Sequence, residues 1–191
     1  LPQGHSEIGQ TLINVGNNLS SLGRFADAEV AHKEALAILE RAAGPRAPLV
    51  ASALSSLAVN YIAQGRHRDA LPLLERAIEI SKTSNSARYR FVQNSWINLA
   101  QVYQEIGRVA EAETRYRRIR SEREQSLGPD HPDTGLVLGQ LGSVLHSQKR
   151  DPEAAVVLRR VLKAEQDRYG PDHVHVASAL TNLATLLPNA D

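Results

Sequence analysis

The sequence predicts an all-α fold, one repeat domain over residues 1–191 built as a solenoid of stacked helical hairpins. Three observations carry that prediction. A period of forty-two residues runs from one end of the chain to the other. Within each period the apolar side chains recur at the spacing of a helix face, and glycine or proline punctuates points where one helix stops and the next begins.

The period is read from a turn. Gly23, Gly65 and Gly107 stand forty-two residues apart, each followed by an arginine (Arg24, Arg66, Arg108), and the next step lands on Lys149 and Arg150. Five residues beyond each anchor lies Ala28, Ala70, Ala112 or Ala154, preceded by Asp27, Asp69, Glu111 or Glu153. Upstream, the frame aligns Leu12, Leu54, Trp96, Leu138 and Leu180, then Val15, Leu57, Leu99, Leu141 and Leu183. A small residue follows each of the latter (Gly16, Ala58, Ala100, Gly142, Ala184), and Leu19, Tyr61, Tyr103, Leu145 and Leu187 come three later. The copies span approximately residues 4–45, 46–87, 88–129 and 130–171, with a partial fifth over 172–191.

Spacings of three, one and three put four side chains on one face, which predicts an amphipathic first helix of about four turns before each anchor. After the anchor the apolar set resumes at Ala28, His32, Ala35 and Leu39 in copy one and at Ala70, Leu74, Ala77 and Ile78 in copy two. Copy four repeats it at Ala154, Leu158, Val161 and Leu162, so a second helix is expected in each copy. The Gly-Arg turn joins the pair, because glycine closes a helix in the left-handed conformation without a Cβ clash.

Between copies, Gly44-Pro45, Gly128-Pro129-Asp130-His131-Pro132 and Gly170-Pro171-Asp172-His173 supply stop and start signals, with Asp130 and Asp172 expected to cap the helices that follow. Thr83, Ser84, Asn85 and Ser86 bridge copies two and three instead. In copy four Asp151-Pro152 provides a cap and a first-turn proline where the anchor glycine has become Lys149. One hairpin cannot bury its own apolar face, so neighbouring copies must stack. Gly16, Ala58, Ala100 and Gly142 are the positions where small residues let helix axes approach closely.

Composition removes several function classes. Twenty-two Lys and Arg against twenty-one Asp and Glu leave a net charge of +1, with no global excess to hold nucleic acid or an anionic membrane. No cysteine is present, so there is no disulfide framework, thiolate nucleophile or cysteine-ligated metal. No run approaches the roughly 18 to 20 apolar residues of a membrane span. The chain has no methionine at its start or elsewhere and reads as a piece of a longer protein, with a cytoplasmic setting as the expectation.

At the aligned positions the chain resembles the tetratricopeptide repeat: Leu or Trp, Leu, Gly or Ala, Leu or Tyr, then Gly, then Ala, in a helix-turn-helix. The forty-two residue form with Gly-Pro-Asp-His-Pro linkers is similar to the repeats of kinesin light chains. The resemblance covers nearly the whole chain and implies a right-handed α-solenoid, a superhelix whose first helices line a concave groove while the second helices form the outside. The chain departs from the family pattern at Lys149 for the turn glycine, at His32 for a bulky apolar residue, and at Ile119 and Val161 for a small alanine.

A groove of that kind would be lined by the stripe opposite the packed face of each first helix. It reads Gln10, Ile13, Asn14, Asn17 and Ser21 in copy one, and Ser52, Ser55, Ser56, Val59 and Ala63 in copy two. Copy three gives Asn94, Ile97, Asn98, Gln101 and Glu105, and copy four Leu136, Gly139, Gln140, Ser143 and Ser147. The fifth start gives Ser178, Thr181, Asn182 and Thr185. Amides and hydroxyls dominate. Side-chain amides both donate and accept, so they can grip the backbone of an extended peptide whatever its sequence. Asn14, Asn17, Ser56, Asn94, Asn98, Gln101, Gln140 and Asn182 are therefore the candidate peptide-binding residues. The stripe lacks the Lys and Arg that would clamp a terminal carboxylate, although Arg88 and Arg90 stand near the mouth of copy three.

Other constellations read as structure. Arg115, Arg117, Arg118, Arg120 and Arg123 are balanced by Glu111, Glu113, Glu122 and Glu124, the pattern of a solvated helix. His131, His173 and His175 suggest a metal, but His131 and His173 occupy equivalent linkers one repeat apart and should not converge. Trp96 and His32 fall on packed faces. No nucleophile elbow, phosphate loop or His-Glu-x-x-His helix occurs, so no catalytic, cofactor or metal site is expected.

The expected function is a non-enzymatic scaffold that binds an extended segment of a partner protein, with no nucleic-acid or membrane partner. The alternative is a sensor or regulatory arm of a larger signalling protein, a caspase-like protease or a nucleotide-switch ATPase. Self-association is a third possibility, because Leu180, Leu183 and Leu187 lack a following second helix to cover them.

Overall fold

The computed structural model describes residues 2–83 and 89–186, and every regular element among them is helical. They divide into two compact units, residues 1–106 and 107–191. The first holds α1 (Pro2–Ser21), α2 (Phe25–Ala43), α3 (Pro48–Ala63), α4 (His67–Thr83) and α5 (Tyr89–Glu105). The second holds α6 (Val109–Leu127), α7 (Pro132–Ser147), α8 (Asp151–Tyr169) and α9 (Val174–Ala184). Each unit is a row of antiparallel helical hairpins in which α1, α3, α5, α7 and α9 are the predicted first helices. Residues 84–86 of the copy-two linker, Arg88, the side chain of Arg90 and Leu187 lie outside the described residues.

The turns follow the anchor frame. Gly23, Gly65 and Gly107 adopt φ of +75°, +71° and +81°, and Lys149 takes the same left-handed conformation at +62°. Each anchor arginine then pairs with the acid three residues on. Arg24, Arg66, Arg108 and Arg150 place Nε 2.7–2.8 Å from Asp27, Asp69, Glu111 and Glu153. The acids sit in the first turn of α2, α4, α6 and α8, where the helix dipole favours them.

Linker chemistry departs from expectation. Asp130 and Asp172 do not cap the next helices; His131 and His173 do, their Nδ1 atoms accepting from the backbone N–H of Asp133 at 3.2 Å and of His175 at 3.3 Å. The imidazole Nδ1, three bonds from Cα as an Asp oxygen is, reaches the same orphan donor that an Asp oxygen would. Asp151 likewise lies inside α8 rather than at its cap, and its carboxylate stands 2.6 Å from Nδ1 of His146. Pro152 keeps its predicted place in the first turn.

Small residues do admit close contact. A Cβ built on Gly16 would lie 2.4 Å from the His32 ring, and one on Gly142 would lie 2.6 Å from Leu158. His32 and Leu158 are equivalent positions of the frame. Ala58 and Ala100 are fully buried at the corresponding sites. In the first unit Ile13, Ala35, Leu39, Ala53 and Leu54 form one cluster with Ala77 and Ile80; in the second, Leu138, Val161 and Ala179 form another. Trp96 is buried in the core, as its alignment with Leu54 and Leu138 implies.

Polar straps join successive hairpins within each unit, and they repeat at eighty-four residues. Glu29 accepts from Tyr61 Oη (2.9 Å) and Arg66 Nη1 (2.7 Å); Glu113 accepts from Gln148 Nε2 (2.8 Å) and Arg150 Nη1 (2.8 Å). Arg76 reaches Glu40 at 2.5 Å and the Pro45 carbonyl, while Arg160 reaches Glu124 at 2.6 Å and the Pro129 carbonyl. At the intervening step the frame puts Leu71 and Lys82 where copy one has Glu29 and Glu40, so the pattern is a property of doubled repeats. Half-exposed pairs of this kind contribute only about 0–1 kcal/mol each, which makes their main effect the register between hairpins.

One buried amide completes the joint of copies one and two. Asn60, fully buried, donates from Nδ2 to the Phe25 carbonyl at 3.0 Å and accepts from Ser20 Oγ at 2.7 Å. The arginine run of α6 is balanced largely as predicted: Arg117 meets Glu113, Arg118 meets Glu122, and Arg120 meets Glu124. Arg123 breaks that pattern. It is only 4% exposed and donates from Nη1 to the Asp133 carbonyl of α7, at the frame position that Leu39 holds in copy one.

Candidate functional site

The first helices α1, α3 and α5 place polar residues around one cleft in the first unit. Asn17, Ser55, Ser56, Val59, Asn94, Ser95, Ile97 and Asn98 line a space of about 340 Å³. Four candidate residues, Asn17, Ser56, Asn94 and Asn98, thus come together at a single depression with no ionisable side chain on its wall. The helix spacing explains the gathering. Asn17, Val59 and Gln101 are frame equivalents, as are Ser56 and Asn98, so stacked first helices bring like positions side by side.

Two stripe members serve the fold instead. Ile13 is 3% exposed and packs in the core cluster, because its helix face turns toward α3. Ser55 is buried with its Oγ 2.8 Å from Ser95 Oγ, a hydroxyl pair that joins α3 to α5 at the cleft wall. Asn17 is tethered from below: the buried His32 donates from Nε2 to its Oδ1 at 3.2 Å. That bond occupies the Asn17 oxygen and leaves its amide N–H groups as the donors on the cleft side. Burial holds the His32 imidazole below its ordinary pKa, so the ring stays neutral and keeps one N–H to give.

Asn14 and Gln101 are exposed but lie outside this cleft. In the second unit Gln140 and Asn182 share a separate cleft of about 340 Å³ between α7, α8 and α9, with Gly135, Gly139, Ser143 and Ser178 on its walls. Glu165 and His175 also line it, and neither was visible as a groove residue in the sequence pattern, since Glu165 belongs to a second helix and His175 to the first turn of α9, ahead of the stripe. His173 stacks on Tyr169 with ring centroids 4.5 Å apart, and His175 meets both rings at a tilt, 5.0–5.2 Å away.

Among the described residues no helix is long and apolar enough to cross a membrane. No group of three or more His, Cys, Asp or Glu residues there is arranged to hold a metal ion.

Comparison with known proteins agrees with this architecture. The family model described as tetratricopeptide repeat matches residues 7–83 and 91–167, two windows offset by the same eighty-four residues as the straps. A search of curated proteins finds no match. Among solved structures, a Podosopora anserina protein described as a kinesin light chain with nearly identical TPR-like repeats is 20% identical with a TM-score of 0.84, covering 95% of this chain and 86% of that one. A variant of it is 19% identical with the same TM-score, covering 95% and 85%. BtubC (BKLC) from P. vanneervenii is 21% identical with a TM-score of 0.81, covering 97% of this chain and 74% of that one. With a match over most of its length and hairpins that repeat in the same frame, the chain belongs to the tetratricopeptide repeat family.

Proposed function

We propose that this protein is a non-enzymatic scaffold that binds an extended segment of a partner protein along its first helices. Tetratricopeptide repeats mediate protein–protein interaction in general. The observation that carries the finer reading is the cleft of the first unit, where Asn17, Ser56, Asn94 and Asn98 meet around one uncharged space. A backbone laid there can exchange several hydrogen bonds of roughly 0.5–1.5 kcal/mol each, enough together for moderate affinity. Gln140 and Asn182 extend the same use to the second unit.

The test is capture of a partner on the full chain, mapping of the bound segment, and measurement of its affinity for the Asn94→Ala/Asn98→Ala double variant. Neither side chain belongs to the core clusters, so the melting temperature should hold while affinity falls about tenfold. Unchanged affinity removes the groove assignment.

A further inference from the structure

Leu39, Ser81, Arg123 and Glu165 share one frame position. Leu39 fills the space over Gly9, where a built Cβ would come within 2.6 Å of it. Ser81 donates to the Ala77 carbonyl, and the buried Arg123 donates to the Asp133 carbonyl. Glu165 lies over Gly135, the frame equivalent of Gly9, and makes neither kind of hydrogen bond. Half-buried in α8, it has no ion pair or hydrogen bond among the described residues, and the nearby cations are engaged elsewhere. Lys163 holds Asp167 at 2.8 Å, Arg160 holds Glu124 at 2.6 Å, and Arg168 donates to the Asp130 carbonyl at 3.0 Å.

The carboxylate opens into the second-unit cleft. Its Oε1 lies 3.6 Å from where a Gly135 Cβ would stand, and one turn along α7 the Cβ position of Gly139 has nothing within 4 Å. Two glycines therefore clear the wall opposite Glu165, in a space of about 340 Å³ whose apolar sides come from Leu136, Val161 and Ala179. We infer that this cleft takes a lysine or arginine side chain of the bound segment, with the cationic head on Glu165 and the aliphatic stem along those apolar residues. The inference rests on the groove reading above and names its specificity. A carboxylate without a partner in the chain can accept a charge-assisted hydrogen bond from an entering cation. Long basic side chains also bury their stems while presenting the charge. The first-unit cleft carries no ionisable residue, so the preference belongs to the second unit alone.

A random heptapeptide phage library panned against the full chain tests this. Wild type should enrich peptides with Lys or Arg at one fixed position, and a selected peptide should bind the Glu165→Gln variant about tenfold more weakly. Glu165→Asp, which keeps the charge, should retain the preference, and matching circular dichroism melts confirm that each variant is folded. Enriched peptides without a cationic position, or equal binding to Glu165→Gln, overturn the role of Glu165 while leaving peptide binding in the groove intact. Failure of wild type and variant alike to enrich any peptide overturns the groove reading and this inference with it.

Discussion

The His32 imidazole lies against the bare Cα of Gly16, so close that a Cβ on that glycine would stand 2.4 Å from the ring. The departure at His32 and the missing Cβ at Gly16 are one packing arrangement. A flat ring occupies the place where equivalent copies carry Leu74 or Leu158, and its second nitrogen position lets it tie Asn17, a residue of the groove wall, to the core. The packing of the first hairpin is thereby coupled to one donor of the candidate site.

Gly16→Ala separates packing from helix propensity. Replacing a helical glycine by alanine ordinarily adds about 1 kcal/mol, but the clash with His32 costs about 1–3 kcal/mol of overpacking. The expected outcome in urea unfolding is a net loss of about 1 kcal/mol, relieved in the Gly16→Ala/His32→Ala double variant by a positive coupling energy. Gly139→Ala is the control, since its Cβ meets nothing within 4 Å, and it should gain about 1 kcal/mol.

The Lys149 turn should improve on substitution. At φ +62° it holds a conformation that the other anchors assign to glycine, at a cost of roughly 1–2 kcal/mol for a residue with a Cβ. Glycine loses more freedom on folding, which offsets part of the gain. Lys149→Gly is therefore expected to raise unfolding free energy by about 0.5–1 kcal/mol. A lower denaturation midpoint would show that the lysine side chain contributes elsewhere.

Glu29 makes the joint of copies one and two acid-sensitive. The ammonium of Lys33, then the Tyr61 hydroxyl and the Arg66 guanidinium, hold its carboxyl down to about 2 from an ordinary 4.5. A depressed carboxylate stabilises the fold fully above the unfolded value and loses that contribution as pH falls toward the folded one. The stability gap between wild type and Glu29→Gln, roughly 1 kcal/mol at neutral pH, should narrow below pH 4.5 and close near pH 2. Chemical unfolding at pH 7, 4 and 2 measures it; a gap independent of pH removes Glu29 as the source.

The period, the hairpins and the turns were legible in the residues themselves, because each depends on local spacing: glycine at an anchor, apolar side chains three and four apart, proline beyond a helix end. Burial of Trp96 and His32 followed from alignment with leucines. The same reasoning placed Asp130 and Asp172 as caps and missed His131 and His173, since a side chain's reach to a backbone N–H depends on the turn that delivers it.

Which polar residue is buried was decided only in three dimensions. Asn60 and Asn98 both lie on first helices, yet one is locked between hairpins by Phe25 and Ser20 while the other borders a cleft. Arg123 and Glu165 share a frame position, and one is sealed inside while the other faces open space. Amino-acid order alone determined that this chain would form repeating helix pairs. Tertiary packing decided which amides and charges remain available to a partner, because availability depends on the neighbour that each side chain meets across the stack, and that neighbour lies tens of residues away in the chain.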